Sequence, residues 1–184
     1  MDDILNAELM RRLDSRPITC FFTGHRTLPC ERLGEITRLT EKAVHYMYSS
    51  GYRRFVCGGA IGFDTLAAQT VLRAKHFDPE IKLILALPCR DQTYSWKNTA
   101  SIVEYRRIKA LADEIVYVGD FYTDECMKKR NRYMVEISSA CIAYYLGGSH
   151  RRSGTGQTFA MAQSEYGESR FIVNVASGFS DVQK

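Results

Sequence analysis

The chain has 184 residues, 45% of them hydrophobic, and carries 25 Lys+Arg against 21 Asp+Glu for a formal net charge of +4. That length and apolar content are enough for one domain with a core that needs no disulfide or metal staple. The slight positive excess permits phosphate-bearing ligands without arguing for a chain that wraps DNA, and the apolar runs are too short for a membrane helix.

Residues 1–17 place Leu5, Leu9 and Leu13 at helical spacing, which predicts a short amphipathic N-terminal extension. Ile18–Phe22 reads as a first strand, apolar on consecutive residues as in a sheet covered on both faces, and it ends in Thr23-Gly24-His25-Arg26. A helix is predicted over about 31–50 on the stripe Leu33, Ile36, Ala43, Val44 and Met47, with Gly51 as its C-cap. Strand two, 54–57, runs into Gly58-Gly59-Ala60-Ile61-Gly62, after which a helix is predicted over 63–75. Strand three, 81–87, is the most hydrophobic and is followed by the polar loop 88–93. Further helices are expected over 99–112, 124–138 and 157–166, and strands over 115–118, 141–146 and 171–175, before a polar tail at 177–184.

Six short apolar strands separated by helices predict an α/β fold. It is a three-layer, Rossmann-like, doubly wound and mainly parallel sheet within a single domain over 18–176. Such a sheet binds ligands beyond the carboxyl ends of its strands. Those ends carry TGHR, GGAIGFD, PCRDQT and the loop GSHRRSGTGQT, so polar residues and glycines gather where a site belongs.

Two of these segments run from a glycine turn into a helix, the local pattern that receives an anion on free main-chain N–H groups. Gly58, Gly59, Ala60 and Gly62 form the first. Gly154, Thr155 and Gly156 form the second, with a further hydroxyl at Thr158. The second is not a Walker A loop, because no Gly-Lys-Ser/Thr follows, which disfavours a metal-assisted NTPase. Arg130 falls on the apolar stripe Met127, Met134, Ile137 of its helix, beside Asn131. An arginine there is expensive unless its guanidinium meets an anion or a carboxylate, for which Asp64 is the candidate. Asp64 reads either as an N-cap or as a site residue that accepts from ribose hydroxyls. Asp91 is similarly placed, Tyr94 and Trp96 could stack on a base, and His25 and Arg26 could reach a phosphate.

Six cysteines without a CxxC pair, behind an acidic Met1-Asp2-Asp3 start with no apolar leader, fit a reduced, cytoplasmic protein. Four scattered histidines give no expectation of a metal, and no cofactor is expected.

Assembled, these segments resemble the SLOG superfamily, which groups the DNA-processing protein A and Lonely Guy proteins, and within it the YpsA-like branch. TGHR at 23–26, GGAIGFD at 58–64, LALPCRDQT at 85–93, MKKRNRYM at 127–134 and GTGQT at 154–158 carry the resemblance. It implies a Rossmann-like domain that binds a nucleotide or a nucleotide-derived phosphorylated ligand, and it suggests a homodimer. Lonely Guy enzymes cleave the N-glycosidic bond of nucleoside monophosphates with a helical arginine and a glutamate in a PGGxGTxxE loop. Arg130 matches that arginine and Gly154-Thr155 the GT, but the leading PGG is absent and Thr158 stands at the glutamate position. Ligand binding or sensing is therefore the expected function, and phosphoribohydrolysis with Arg130 and Asp64 as catalytic groups the alternative. A single-stranded DNA or protein-partner scaffold is the third reading, disfavoured by the modest charge.

Overall fold

The computed structural model describes residues 14–167 and 171–178; the helix expected on Leu5, Leu9 and Leu13 lies outside them. Six strands form one sheet: β1 (Thr19–Gly24), β2 (Arg54–Cys57), β3 (Lys82–Leu87), β4 (Glu114–Tyr117), β5 (Ala140–Tyr144) and β6 (Ile172–Asn174). Their spatial order is β4-β3-β2-β1-β5-β6, and every neighbouring pair is parallel. The five helices are α1 (Leu33–Ser49), α2 (Phe63–Phe77), α3 (Thr99–Leu111), α4 (Cys126–Glu136) and α5 (Gly154–Tyr166).

The pleat sorts each strand's apolar side chains onto two faces. Cys20 and Phe22, Leu83, Leu85 and Leu87, and Ile142 and Tyr144 face α1, α2 and α3. Phe21, Ile84, Ala86, Cys141 and Ala143 face α4 and α5. Two covered faces explain why these strands read as unbroken apolar runs rather than as alternation. Helix boundaries follow local chemistry. Gly51, at φ +97°, turns the chain out of α1, where Ser50 N–H donates to the Tyr46 and Met47 carbonyls. The Asn98 side chain caps α3 on Ser101 N–H, and the Ser153 hydroxyl caps α5 on Gly156 N–H. That cap starts α5 at Gly154, three residues before the expected 157.

From β1 the chain steps outward through β2 and β3 to β4, then returns to lay β5 on the other flank of β1. The switch point therefore lies between β1 and β5, which are in register to the end at Thr23↔Ala143 and Gly24↔Tyr144. Beneath that rim Phe22 stacks on Phe55 at 6.0 Å, and Phe63 lies 6.4 Å from Phe22 and 5.8 Å from Tyr144 between ring centroids. All four rings are fully buried. At about 1.5–3 kcal/mol for each such side chain, this cluster anchors the loops above it. Among the described residues no helix is long and apolar enough to cross a membrane.

Candidate anion-binding site at the switch point

The two loops that leave β1 and β2 are packed main chain on main chain. A β-carbon at Gly24 would sit 2.4 Å from Phe63 Cβ. One at Gly62, whose φ is +81°, would sit 2.3 Å from the Arg26 carbonyl oxygen. Phe63 N–H donates to the His25 carbonyl at 3.1 Å. Gly24 and Gly62 thus serve the approach of TGHR to GGAIGFD.

Asp64 enters from the first turn of α2, but it caps no helix: its Oδ2 accepts from Ala60 N–H at 3.3 Å and lies 3.7 Å from Arg130 Nη1. Arg130 comes from the second turn of α4, on the opposite face of the sheet, and meets Asp64 above the end of β2. Its Nη1 donates to the Gly58 carbonyl, and a β-carbon at Gly58 would overlap that nitrogen at 1.5 Å. Glycine stands at 58 because the guanidinium fills the space a side chain would need. Gln92 braces the same turn, donating from Nε2 to the Gly59 carbonyl at 2.9 Å.

Both partners are deeply buried, Arg130 at 6% and Asp64 at 7% exposure. Burial pushes the Asp64 carboxyl above its ordinary value, with the Arg130 charge and the Ala60 N–H opposing the shift. Burial likewise lowers Arg130, but a guanidinium stays charged inside proteins. The arginine is incompletely matched. Its Nη2 reaches only the Met127 sulfur at 3.9 Å, and its buried Nε has no hydrogen-bond partner among the described residues.

Arg130 and Asp64 line a cavity of about 340 Å³ at the switch point. One wall is the end of β1, from Phe22 through Thr23, Gly24, His25 and Arg26; Ala60 adds the β2 turn. Met127, Asn131 and Met134 extend the α4 wall, and Ser153, Gly154 and Thr155 bring in the start of α5. The first turn of a helix leaves N–H groups without helical acceptors. Ser153 Oγ takes that of Gly156 at 3.0 Å and the Ser153 carbonyl that of Gln157 at 2.9 Å, so the N–H groups of Gly154 and Thr155 are the ones at the cavity. Two arginines, one aspartate and a helix N-terminus give the cavity a positive field suited to a phosphate or carboxylate.

Thr23, Gly24, His25, Arg26, Ala60, Asp64, Arg130, Asn131, Gly154 and Thr155 are thus brought to one cavity. Gly58, Gly59, Gly62, Gly156 and Thr158 are not among its lining residues. Gly58 and Gly59 offer their carbonyls to Arg130 and Gln92, Gly62 faces the other side of α2, and Gly156 packs 2.4 Å (as a built β-carbon) from the His150 carbonyl oxygen. Thr158 is fully buried, its hydroxyl donating to the Gly154 carbonyl at 2.7 Å. Phe22, Met127, Met134 and Ser153 are lining residues that sequence reasoning missed. Ser153 was detectable as an N-cap before a helix; the methionines looked like core.

His25 closes the β5 side. Its Nε2 accepts from Leu146 N–H at 3.2 Å, and its ring lies 4.7 Å from that of His150. Burial first, and the neighbouring imidazole second, hold it below the ordinary histidine value, so it stays neutral near pH 7.

Comparison with known proteins agrees with this architecture. By structure the chain is similar to DNA processing protein A from Streptococcus pneumoniae, with a TM-score of 0.55, 16% identity, and coverage of 85% of this chain and 50% of that one. It is also similar to the Helicobacter pylori protein of that name, whose structure is described by its single-stranded DNA binding mode. There the TM-score is 0.53, the identity 20%, and the coverage 84% and 64%. At these identities the likeness is one of fold. By sequence it is 33% identical over 125 residues to the SPbeta prophage-derived protein YoqJ of Bacillus subtilis, covering 61% of this chain and 71% of the relative. It is 24% identical over 112 residues to the UPF0398 protein BH1768 of Halalkalibacterium halodurans, covering 60% and 59%. The chain thus spans from half to under three quarters of the proteins it matches. The model of the YspA SLOG family (YpsA) matches residues 30–172, most of the domain, and the chain belongs to that family.

Proposed function

We propose that the protein binds a nucleotide or nucleotide-derived ligand through its phosphate in the cavity at the β1–β5 switch point. One observation carries this reading. A buried, charged guanidinium with an unpartnered Nε–H belongs to a side chain that lines one cavity together with the N-terminus of α5. A buried donor without an acceptor is costly, and an anion relieves that cost. The cavity, at about 340 Å³, falls at the small end of ligand sites. Binding is favoured over glycosidic hydrolysis because Asp64 is the only carboxylate among its lining residues and is already engaged by Arg130. The hydroxyl at the hydrolase glutamate position points into the α5 backbone. The same proposal includes a homodimer, and a reducing cytoplasm for a chain whose six cysteines are free and, apart from Cys30, buried.

The test is titration calorimetry with nucleoside monophosphates and their dephosphorylated nucleosides. Arg130→Ala should abolish most of the preference for the phosphorylated form; equal loss for both forms would remove the phosphate clamp. Release of free base and ribose 5-phosphate by the wild type, absent in Arg130→Ala, would instead establish the hydrolase.

The single-stranded DNA reading has one observation in its favour. Tyr94, Phe121 and Tyr122 are 92%, 77% and 59% exposed on the loops at the carboxyl ends of β3 and β4. Arg90 and Lys128, both well exposed, lie nearby in sequence, paired with Asp120 at 3.7 Å and Glu125 at 3.9 Å. Exposed rings are what bases stack on, and nearby cations are what phosphates pair with. Fluorescence polarisation with labelled oligonucleotides at two salt concentrations decides it: a salt-sensitive shift lost on Phe121→Ala supports DNA, and no shift removes it.

A further inference from the structure

We propose that His25 is a proton-linked latch on the switch-point cavity: its neutral ring holds the segment 146–152 in place, and an anion in the cavity draws a proton onto that ring and releases the segment. This rests on the anion-binding reading above and supplies its regulation. His25 lines the cavity and meets the segment at two points. Its Nε2 accepts from Leu146 N–H at 3.2 Å, which requires an unprotonated nitrogen, and its ring lies 4.7 Å from that of His150. Between these points the chain is built to turn: Gly147 and Gly148, at φ +70° and +55°, lead into the short 3-10 turn Gly148–Arg152. The far end of the turn is tied to α5. The His150 carbonyl accepts from Ser153 N–H at 3.0 Å and from the Ser153 hydroxyl at 2.7 Å, and that hydroxyl accepts from Gly156 N–H at 3.0 Å. What moves His150 therefore moves the cap that presents Gly154 and Thr155 to the cavity.

The surroundings of His25 make its proton depend on what the cavity holds. The β5 side presents the rings of Tyr144 and Tyr145, at 6.0 and 6.1 Å, and the turn presents His150, followed in the chain by Arg151 and Arg152. Along the cavity wall stand Arg26, Asp64 from α2 and Arg130 from α4, while the start of α5 adds the uncharged Ser153, Gly154 and Thr155. Asp64, the one carboxylate among the lining residues, is already opposed by Arg130 at 3.7 Å. Without an anion, a positive charge at His25 would meet cations and no free acid, and burial and His150 both hold the ring neutral. A bound anion supplies the missing counter-charge. Once protonated, the ring carries N–H on both nitrogens, so it no longer accepts from Leu146 and is free to donate to the anion. The Leu146 N–H lies at the surface, where water replaces the ring as its acceptor.

Sulfate is the probe, because its charge, unlike that of phosphate, stays constant over the range in which a histidine titrates. NMR follows the histidine ring and backbone amide signals through a pH titration with and without it. Without sulfate, the amides of Leu146 and Gly154 should follow the His25 midpoint. That inflection should vanish in His25→Gln, whose side-chain oxygen keeps an acceptor for Leu146 N–H. With sulfate the His25 midpoint should move up, and sulfate should bind more tightly as pH falls, by up to about tenfold per pH unit for the one proton taken up. His25→Gln should flatten that dependence, and His150→Gln should raise the midpoint even without sulfate. Amides that ignore the His25 midpoint overturn the latch whether or not sulfate binds. A midpoint that bound sulfate leaves in place, or a pH dependence that His25→Gln retains, overturns its link to the cavity. Sulfate that binds at no pH, while the amides still follow His25, refutes the anion-binding reading instead, so the two failures are distinguishable.

Discussion

Substituting alanine for Gly58 probes the contact on which the site is built. The backbone at Gly58 does not lie in the left-handed region, so any penalty comes from the added methyl group alone. That group would overlap Arg130 Nη1 at 1.5 Å and Cζ at 2.5 Å, and no rotation of the methyl avoids it. The guanidinium must withdraw, which breaks its hydrogen bond to the Gly58 carbonyl and leaves Asp64 without its counter-charge. A hydrogen bond from a charged group contributes about 1.5–3 kcal/mol. Breaking a buried pair by removing one partner costs about 3–5 kcal/mol. Asp64, already displaced toward protonation by burial, limits the loss by taking a proton. The expected destabilisation is about 3 kcal/mol, measured as a lower urea midpoint at unchanged slope. The same substitution made in Arg130→Ala should cost under about 1 kcal/mol, because only the contact to Asp64 Oδ2 remains to be relaxed. Additive effects would refute the view that Gly58 exists to admit Arg130.

Three further outcomes are expected. Gly156→Ala should destabilise by about 1–3 kcal/mol, since its β-carbon would lie 2.4 Å from the His150 carbonyl oxygen; Gly154→Ala, with nothing within 4 Å, should stay within about 0.5 kcal/mol in the same denaturation assay. Because the Asp64 carboxyl is raised in the folded state, its stabilising contribution is complete below the ordinary aspartate value of about 3.9 and is lost as pH rises through its folded value. The wild type should therefore gain stability over Asp64→Asn on acidification from neutrality toward about pH 4, and a gap that does not change with pH contradicts this. The His25 imidazole is depressed, so its contribution is present above the ordinary histidine value of about 6.5 and is lost as pH falls through its folded value. In an NMR titration His25 should titrate below 6.5 and move only part of the way back in His150→Ala, since burial is the larger cause.

The number and kind of elements were legible in the chain because hydrophobic period is a local property. Consecutive apolar residues at Phe21–Phe22 and Leu83–Leu87 report two covered faces, and the stripe through Ile36, Ala43 and Met47 reports one. Element ends were less legible. The start of α5 moved to Gly154 because a single serine cap, rather than a periodic pattern, sets it. Arg130 stood out because a charge on an apolar stripe conflicts with its surroundings, and such conflicts accumulate at sites. What the glycines do was not legible. A GG or GTG string states that the backbone is free or closely approached, but not by what. Here Gly58 admits an arginine, Gly62 the chain at Arg26, and Gly156 the turn at His150, while Gly154 alone among the proposed loop glycines borders open cavity.

Composition and local pattern by themselves determined the layered α/β class, the parallel sheet and the strand ends where polar residues collect, because propensity and burial period act within a few residues of each other. Tertiary structure decided which of those ends converge. Only the return of the chain to place β5 beside β1 brings the start of α5, the end of β1 and α4 around one cavity, and only the meeting of α2 and α4, from opposite faces of the sheet, beyond the end of β2 joins Asp64 to Arg130. Those contacts link residues tens of positions apart, so their energy depends on how the whole sheet is wound, which no local stretch of sequence encodes.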